Sequence, residues 1–239
     1  MKKDLSLNVQ LPTFEAEQGE CPYLDNRIWT SVVIRSPQWD GQMYESMLSQ
    51  GFRRSGELFY INICPGCSAC VPLRIPVHTF KPSRSQKRVW KKNQDLVVTH
   101  EPAAFSVDEF ELYRRYSLFK HNTDCSEGEY KKFLIKSPIN TEMMKYYEGE
   151  KLIALGWIDV LPNSISSVYF AYEPDQSHRS LGTFSVLKEI ELGKDLQKSA
   201  LHLGFWIEGC ITMQYKERFN PHQILQNGNW CSHRTKNNI

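Results

Sequence analysis

A chain of 239 residues with 41% hydrophobic and 23% charged side chains has the composition of a globular protein able to bury a sizeable core, in one large or two smaller domains. Its formal net charge of +2 excludes bulk attraction to a polyanion, so any nucleic-acid binding must come from a local concentration of bases. The longest apolar run, Leu152 to Ile158, is far short of the roughly 20 residues that span a bilayer, which excludes a membrane helix.

Residues 1–19 are polar and unpatterned and predict a loose leader. MKKDLSLNVQ carries two lysines with no apolar stretch behind them, so no export signal is expected and a reducing cytoplasm is the expected location. A turn-rich region runs to Gly51. Glu57 to Ile63 reads as a strand, and Val71 to Val77, with Pro72 and Pro76, as an edge strand or extended segment. Between them lie Cys64, Cys67 and Cys70 in C-x2-C-x2-C spacing, and Cys21 could complete a four-thiolate shell for zinc or an iron–sulfur cluster, the alternative being buried or redox-sensitive thiols. Cys125, Cys210 and Cys231 read as structural, and the seven histidines show no ligand spacing.

Ser83 is the expected N-cap of a helix from Arg84 to about Asn93. At 100° per residue Arg84, Lys87, Arg88, Lys91 and Lys92 share an arc of roughly 140°, with Val89 and Trp90 outside it. A helix this short must dock, so Trp90 and Val89 are expected inward and the basic face outward. From Arg53 to Val98 nine bases face two acids, Glu57 and Asp95, the pattern of a phosphate-binding platform.

Ser106 with Glu109 predicts a capping box and a helix bearing Leu112, Tyr116 and Phe119 on one face. Extended segments are expected at Lys145 to Tyr147, Leu152 to Leu161 and Ile165 to Tyr172, joined by turns at 148–150 and 162–164. Loop 174–179, an amphipathic helix Leu181 to Lys198 with Phe184, Leu187 and Ile190 on one side, and a strand Ala200 to Ile207 follow. Residues 215–239 read as one short helix and a polar tail. The fold class expected is α+β: a mixed-sheet domain at 104–239, preceded at 1–103 by a smaller cysteine-containing α+β domain.

A meander followed by a turn, a helix and another strand is the order of GNAT acyltransferases, and Arg179-Ser180-Leu181-Gly182-Thr183-Phe184 resembles their pyrophosphate loop at a helix start. A doubled GNAT arrangement is one expected form. Phe184 replaces the small residue at the end of that loop, and its bulk is expected to obstruct a coenzyme A pyrophosphate. GFRRSGELFY at 51–60, CPGCSACVPLRIPV at 64–77 and SRSQKRVWKKNQDL at 83–96, with ELYRRYSLFKH at 111–121, LIALGWIDVL at 152–161, RSLGTFSVLKEIE at 179–191 and GFWIEGCITMQYKERFNP at 204–221, together resemble the bacterial aspartate/glutamate leucyltransferases, relatives of the arginyl-tRNA–protein transferases.

That resemblance implies transfer of an amino acid, leucine or arginine, from aminoacyl-tRNA to a protein amino terminus bearing Asp or Glu, creating a degradation signal. It implies no cofactor for the transfer and a metal centre at the cysteines as in related eukaryotic enzymes; separately, a monomer is expected. The donor is an activated ester and the nucleophile an α-amine of pKa about 7.7 to 8.0, so positioning and oxyanion donors are the main requirement. Expected for that work are Asp159, Tyr172, Ser180 and the backbone N–H groups of Leu181 and Gly182, with Tyr169 beside them; Asp159 could equally face outward. Arg74 is the first choice for the acceptor carboxylate, with Arg53 and Arg54 as alternatives. Arg84, Lys87, Arg88, Lys91 and Lys92 are expected on the tRNA acceptor stem, and Lys216 either adds a phosphate contact or pairs with a neighbouring acid. A different class, a non-catalytic zinc-bearing RNA-binding protein, is the alternative.

Overall fold

Two sheets organise the chain, of which the computed structural model describes residues 12–35 and 40–233. The first is built from β1 (Thr13–Glu20), β2 (Ile28–Ile34), β3 (Arg53–Ser55) and β4 (Leu58–Asn62), antiparallel in the order β1-β2-β4-β3, with α1 (Gly41–Ser49) inserted after β2. Asp40 caps α1 by accepting from the Met43 N–H at 2.7 Å. Tyr44, Met47 and Leu48 of α1 then pack on Ile34, Phe59 and Ile61. Part of the expected leader, residues 1–11, lies outside the described residues, but 13–20 form an edge strand that pairs with β2. The turn-rich reading of 20–51 likewise missed β2 and α1.

The second sheet collects β5 (Val71–Pro76), β6 (Leu96–Pro102), β7 (Thr141–Glu148), β8 (Lys151–Val160), β9 (Ser164–Tyr172), β10 (Ala200–Trp206), β11 (His222–Gln226) and β12 (Asn229–His233) in the order β12-β11-β5-β10-β9-β8-β7-β6. Between these strands lie α2 (Arg84–Lys92), α3 (Val107–His121), α4 (Glu127–Tyr130) and α5 (Leu181–Asp195). Strand β10 runs parallel to β9 and the other pairings are antiparallel. This is the expected α+β, GNAT-like order of meander, helix and parallel strand. The sheet nevertheless crosses the division drawn at residue 103, because β5 and β6 precede it in sequence and belong to the same sheet as β7 to β12.

Strand β5 is internal rather than an edge. Its prolines are accommodated because β11 pairs only with Leu73 and Arg74, the two residues between Pro72 and Ile75. The tail expected at 215–239 contains, after a 3-10 turn at Gln214–Arg218, the hairpin β11–β12, while 234–239 lie outside the described residues. Helix α2 forms as expected, with Ser83 and Gln86 in a reciprocal capping box. At α3, Ser106 is the cap residue but makes no side-chain cap bond, and the Glu109 side chain pairs with Lys145 instead of closing the capping box.

One face of the large sheet packs on α5 and α2, with Ile75, Tyr146, Ile165 and Leu201 against Phe184, Leu187 and Ile190. The other face carries α3, where Met143, Leu155 and Trp157 meet Leu112, Tyr113 and Tyr116. Phe119, expected on that helix face, is exposed. The small sheet covers the remainder of this face through Arg53 and Arg54, which reach Ser166 and Asp159 on the large sheet.

Candidate active site

Strands β9 and β10 pair at only three positions, Ser164↔Ala200, Ile165↔Leu201 and Ser166↔His202. Immediately afterwards β10 shifts register between His202 and Gly204 and continues along β5, while β9 follows β8. A wedge therefore opens from Ser167 and Leu203 towards the carboxyl ends of both strands. Gly204 has φ +82°, and a Cβ there would stand 3.3 Å from Nε of Arg53. Glycine is required twice, by the left-handed backbone and by the guanidinium lying against it.

Four ionisable side chains gather at this opening. Arg53 comes from β3, donating to Ser166 Oγ at 3.2 Å and to the Ser167 carbonyl at 2.5 Å, at the apex of the wedge. Glu189 of α5 is 1% exposed; its Oε1 accepts from Ser185 Oγ at 2.9 Å, and Oε2 is sealed from solvent without a hydrogen bond. Burial pushes its pKa up to about 7, against the opposing pull of the Ser185 and Ser167 hydroxyls and the Arg53 charge. Lys216, 7% exposed, donates to the Phe205 carbonyl at 2.6 Å, and burial, then Arg53, brings its pKa down to about 7. Tyr215, 37% exposed as a residue, has its phenol raised by burial and then by Glu189 and Tyr116. Tyr116 in turn packs against Tyr172, the ring centroids 4.9 Å apart.

Of the residues expected at the site, Arg53 and Tyr172 stand at this opening and Lys216 joins them in a different role. Lys216 was expected on tRNA phosphate or paired with a neighbouring acid, but its buried amine instead donates to the Phe205 carbonyl. Asp159 is buried rather than outward. It is 0% exposed and held by Arg54 Nε at 2.8 Å, Arg54 Nη2 at 2.6 Å and Thr141 Oγ1 at 2.6 Å, so its carboxylate is a buried counter-ion to Arg54. Arg54 is consumed by the same pair: burial opposes its charge, and Asp159 overcomes that and raises its pKa. Arg74 donates to Gln223 Oε1 at 2.8 Å and lies 4.4 Å over the Trp230 ring, on the far side of β10 from the wedge. Tyr169 packs among Tyr113, Trp157 and Phe133 and reaches His121 Nε2 at 3.0 Å.

Ser180 enters α5 in the left-handed region, φ +58°, and the N–H groups of Leu181 and Gly182 begin the helix before its first internal bonds to Thr183 and Phe184. Space is open beside Gly182. Phe184 does not block this loop: it is 3% exposed and turned into the core against Trp90 and Tyr146. The loop is held to α2 by Lys92 Nζ donating to the His178 carbonyl at 2.6 Å and Asn93 Nδ2 to that of Arg179 at 3.0 Å. Lys92 is thereby tied down, whereas Arg84, Lys87, Arg88 and Lys91 are exposed on the outer face of α2, and Trp90 docks on Phe184 at 5.6 Å.

The cysteines share a neighbourhood: burial raises the Cys70 thiol, and Cys64, Cys21 and Cys67 add to the rise. Cys64 Sγ is engaged with the backbone of Thr30. Among the described residues no three His, Cys, Asp or Glu side chains gather as ligands for a metal ion, so the thiols as placed do not fit the expected zinc or iron–sulfur shell. Glu189 and Tyr215 were missed from sequence. The signal for Glu189 was a carboxylate one turn beyond Ser185 on a helix whose Leu181 and Leu192 flank it, masked by the stronger stripe of Phe184, Leu187 and Ile190.

A mixed sheet opened between two parallel strands, with a helix start and buried ionisable groups at the opening, defines the acyltransferase class. Residues 19–88 match the family described as Arginine-tRNA-protein transferase, N terminus, and residues 108–226 its C terminus. The chain is similar to the aspartate/glutamate leucyltransferase of Pseudomonas syringae pv. syringae (strain B728a), 37% identical over 229 residues covering 94% of this chain and 97% of that one. It is 36% identical over 222 residues to that of Marinobacter nauticus (strain ATCC 700491 / DSM 11845 / VT8), covering 91% and 94%. Its likeness to the solved structure of FemX is distant, with TM-score 0.47, 5% identity and coverage of 83% and 80%. The chain belongs to the arginine-tRNA-protein transferase family and is an aminoacyltransferase, which sets aside the non-catalytic RNA-binding alternative.

Proposed function

We propose that this enzyme transfers leucine from leucyl-tRNA to the amino terminus of proteins that begin with Asp or Glu, in the cytoplasm, where the added leucine marks them for degradation. Support for leucine over arginine comes from relatives described as aspartate/glutamate leucyltransferases. The observation that carries the acceptor assignment is the buried guanidinium of Arg53 beside Lys216, whose pKa burial brings down to about 7 and which an incoming carboxylate would hold protonated; neither has a carboxylate within ion-pair distance among the described residues. Buried charge without a counter-ion is costly, and an acceptor that brings its own carboxylate relieves that cost. A neutral residue leaves the cations unpaired and is rejected by a large factor. Arg74, with its guanidinium already committed to Gln223 and Trp230, is the weaker candidate for this role.

The exposed bases of α2 lie beside the start of α5, which suits them to the phosphates of the acceptor stem while the esterified end enters the wedge. The amine then needs only to be neutral and close, because proximity supplies roughly 7 to 11 kcal/mol of the barrier. The N–H groups of Leu181 and Gly182 are available as donors to donor phosphate or developing oxyanion. The test is a parallel assay of leucyl- and arginyl-tRNA with peptides starting in Asp, Glu and Ala. Transfer of leucine to the first two and not the third supports the reading; preference for arginine replaces the donor, and equal use of Ala removes the cation pair from acceptor recognition.

A further inference from the structure

We propose that Glu189 is the proton acceptor of the transfer, taking the proton from the incoming α-amine and handing it to the departing ribose oxygen. This rests on the aminoacyl-transfer reading above and assigns the proton's path within it. Glu189 sits where the wedge closes, beside Ser167, the first residue past the last β9–β10 pair, and under Arg53. Its Oε1 is fixed by Ser185, whose hydroxyl also receives the Tyr146 phenol at 3.2 Å, so the carboxyl group has one orientation. Its Oε2 is enclosed and makes no direct hydrogen bond, while the Ser167 hydroxyl and the Arg53 charge act on the same carboxylate. A buried acceptor left without a donor is expensive, and a substrate N–H is the donor that would satisfy it.

The groups facing Glu189 are Ser185 on its own helix, Ser167 on β9, Arg53 on β3, Tyr146 on β7 and Tyr215 in the turn before β11. None is a competing acid. Two further titratable side chains lie near Arg53: His202 of β10, buried at the last β9–β10 pair, and Lys216, which donates to the Phe205 carbonyl. In the step itself the amine lone pair attacks the ester carbonyl carbon, a C–N bond forms, and the amine proton passes to Oε2. Collapse of the tetrahedral species breaks the carbon–ribose oxygen bond, and the proton on Oε2 moves to that oxygen. Amide, free tRNA hydroxyl and carboxylate result, so the proton count closes without any further reactant. A carboxyl group whose proton affinity sits near the working pH is suited to both halves of that exchange.

The test is single-turnover transfer from leucyl-tRNA to a saturating Asp-starting peptide, followed against pH for the wild type and Glu189→Gln. Gln keeps the volume and the bond to Ser185 and removes the proton acceptor. Expected are a rate at least about 10²-fold lower and unchanged leucyl-tRNA affinity. Below about pH 6.5 the log rate should rise with a slope near two in the wild type, for two deprotonations of amine and carboxyl, and near one in the variant. Ser185→Ala, which withdraws a donor from the carboxylate, should move the wild-type limb to higher pH, and supplies the test if the Gln variant misfolds. A Gln variant within about threefold of wild type with the same slope overturns the proposal. So does a Gln variant that loses leucyl-tRNA affinity at an unchanged rate, which would make Glu189 an anchor for the donor's ammonium, and so does an unmoved limb in Ser185→Ala. Failure of the wild type to transfer leucine at all is the separate failure of the proposed function.

Discussion

Replacing Asp159 by Ala should unfold this protein far more readily than an ordinary core truncation. The carboxylate takes two guanidinium bonds, at 2.8 and 2.6 Å, from an Arg54 whose side chain is as fully buried as its own. After the substitution Arg54 keeps only the Gly56 carbonyl at 2.8 Å and Thr141 Oγ1 at 3.2 Å, neither of which carries charge. Breaking a buried pair from one side costs about 3 to 5 kcal/mol, since the surviving charge has no counter-ion. For a chain of this length that corresponds to a fall in melting temperature of roughly 6 to 20 °C. Removing both partners, as Arg54→Met with Asp159→Leu, leaves no orphan charge and should return most of that loss. Urea unfolding of the two single variants and the double variant, followed by tryptophan fluorescence, gives the coupling directly. The folded double variant should still transfer leucine, because neither residue reaches the wedge. An Asp159→Ala protein within about 1 kcal/mol of wild type would refute the argument from burial, and a well-folded double variant without transfer would return Asp159 to the chemistry.

Lys216→Met should lower the preference for Asp-starting over Ala-starting peptides by about tenfold or more, with the Ala-peptide rate little altered, read from competition between the two acceptors. Lys87→Ala with Arg88→Ala, both on the exposed face of α2, should weaken leucyl-tRNA binding and reduce its dependence on log salt by about 1.4 to 1.8, with the melting temperature unchanged. Glu189 makes a separate statement about stability. Its folded pKa, about 7, lies above the ordinary carboxylate value of 4.5, so the folded state holds the extra proton between those limits and wild-type stability falls as pH rises through that window. Glu189→Gln should remove this fall and be more stable than wild type above pH 7 by an amount on the order of 3 kcal/mol. Parallel denaturation curves at pH 5 and 8 check it, and identical pH dependence in the two proteins would contradict it.

What could be read from sequence was what local chemistry dictates. Ser83 announces a helix start, and the docking of Trp90 with the bases outward follows from the short length of α2. The strands β7 to β10 and helix α5 follow from apolar runs and turns in the right order. What escaped depends on partners distant in sequence. Asp159 in an apolar strand is an ambiguous carboxylate until Arg54, 105 residues earlier, is placed against it. Lys216 reads as a surface base because its burial is created by Phe205 and the wedge, not by its neighbours in MQYKERF. Glu189 is hidden for the complementary reason, since α5 is buried on more than one side and a single acid does not disturb its apolar stripe. The division at residue 103 fails to match the sheets because β5, flanked by prolines, is recruited between β10 and β11 by pairing that no local pattern encodes.

The central claim is that the wedge between β9 and β10 joins an amino acid from tRNA to an amino terminus that brings a carboxylate to Arg53 and Lys216. Its most direct measurement is mass analysis of Asp-, Glu- and Ala-starting peptides after incubation of the purified enzyme with leucyl-tRNA. The account predicts that the first two gain one leucine on the α-amine and that the third stays unmodified. Asp- and Glu-peptides left unchanged, or an Ala-peptide leucylated at the same rate, would contradict it.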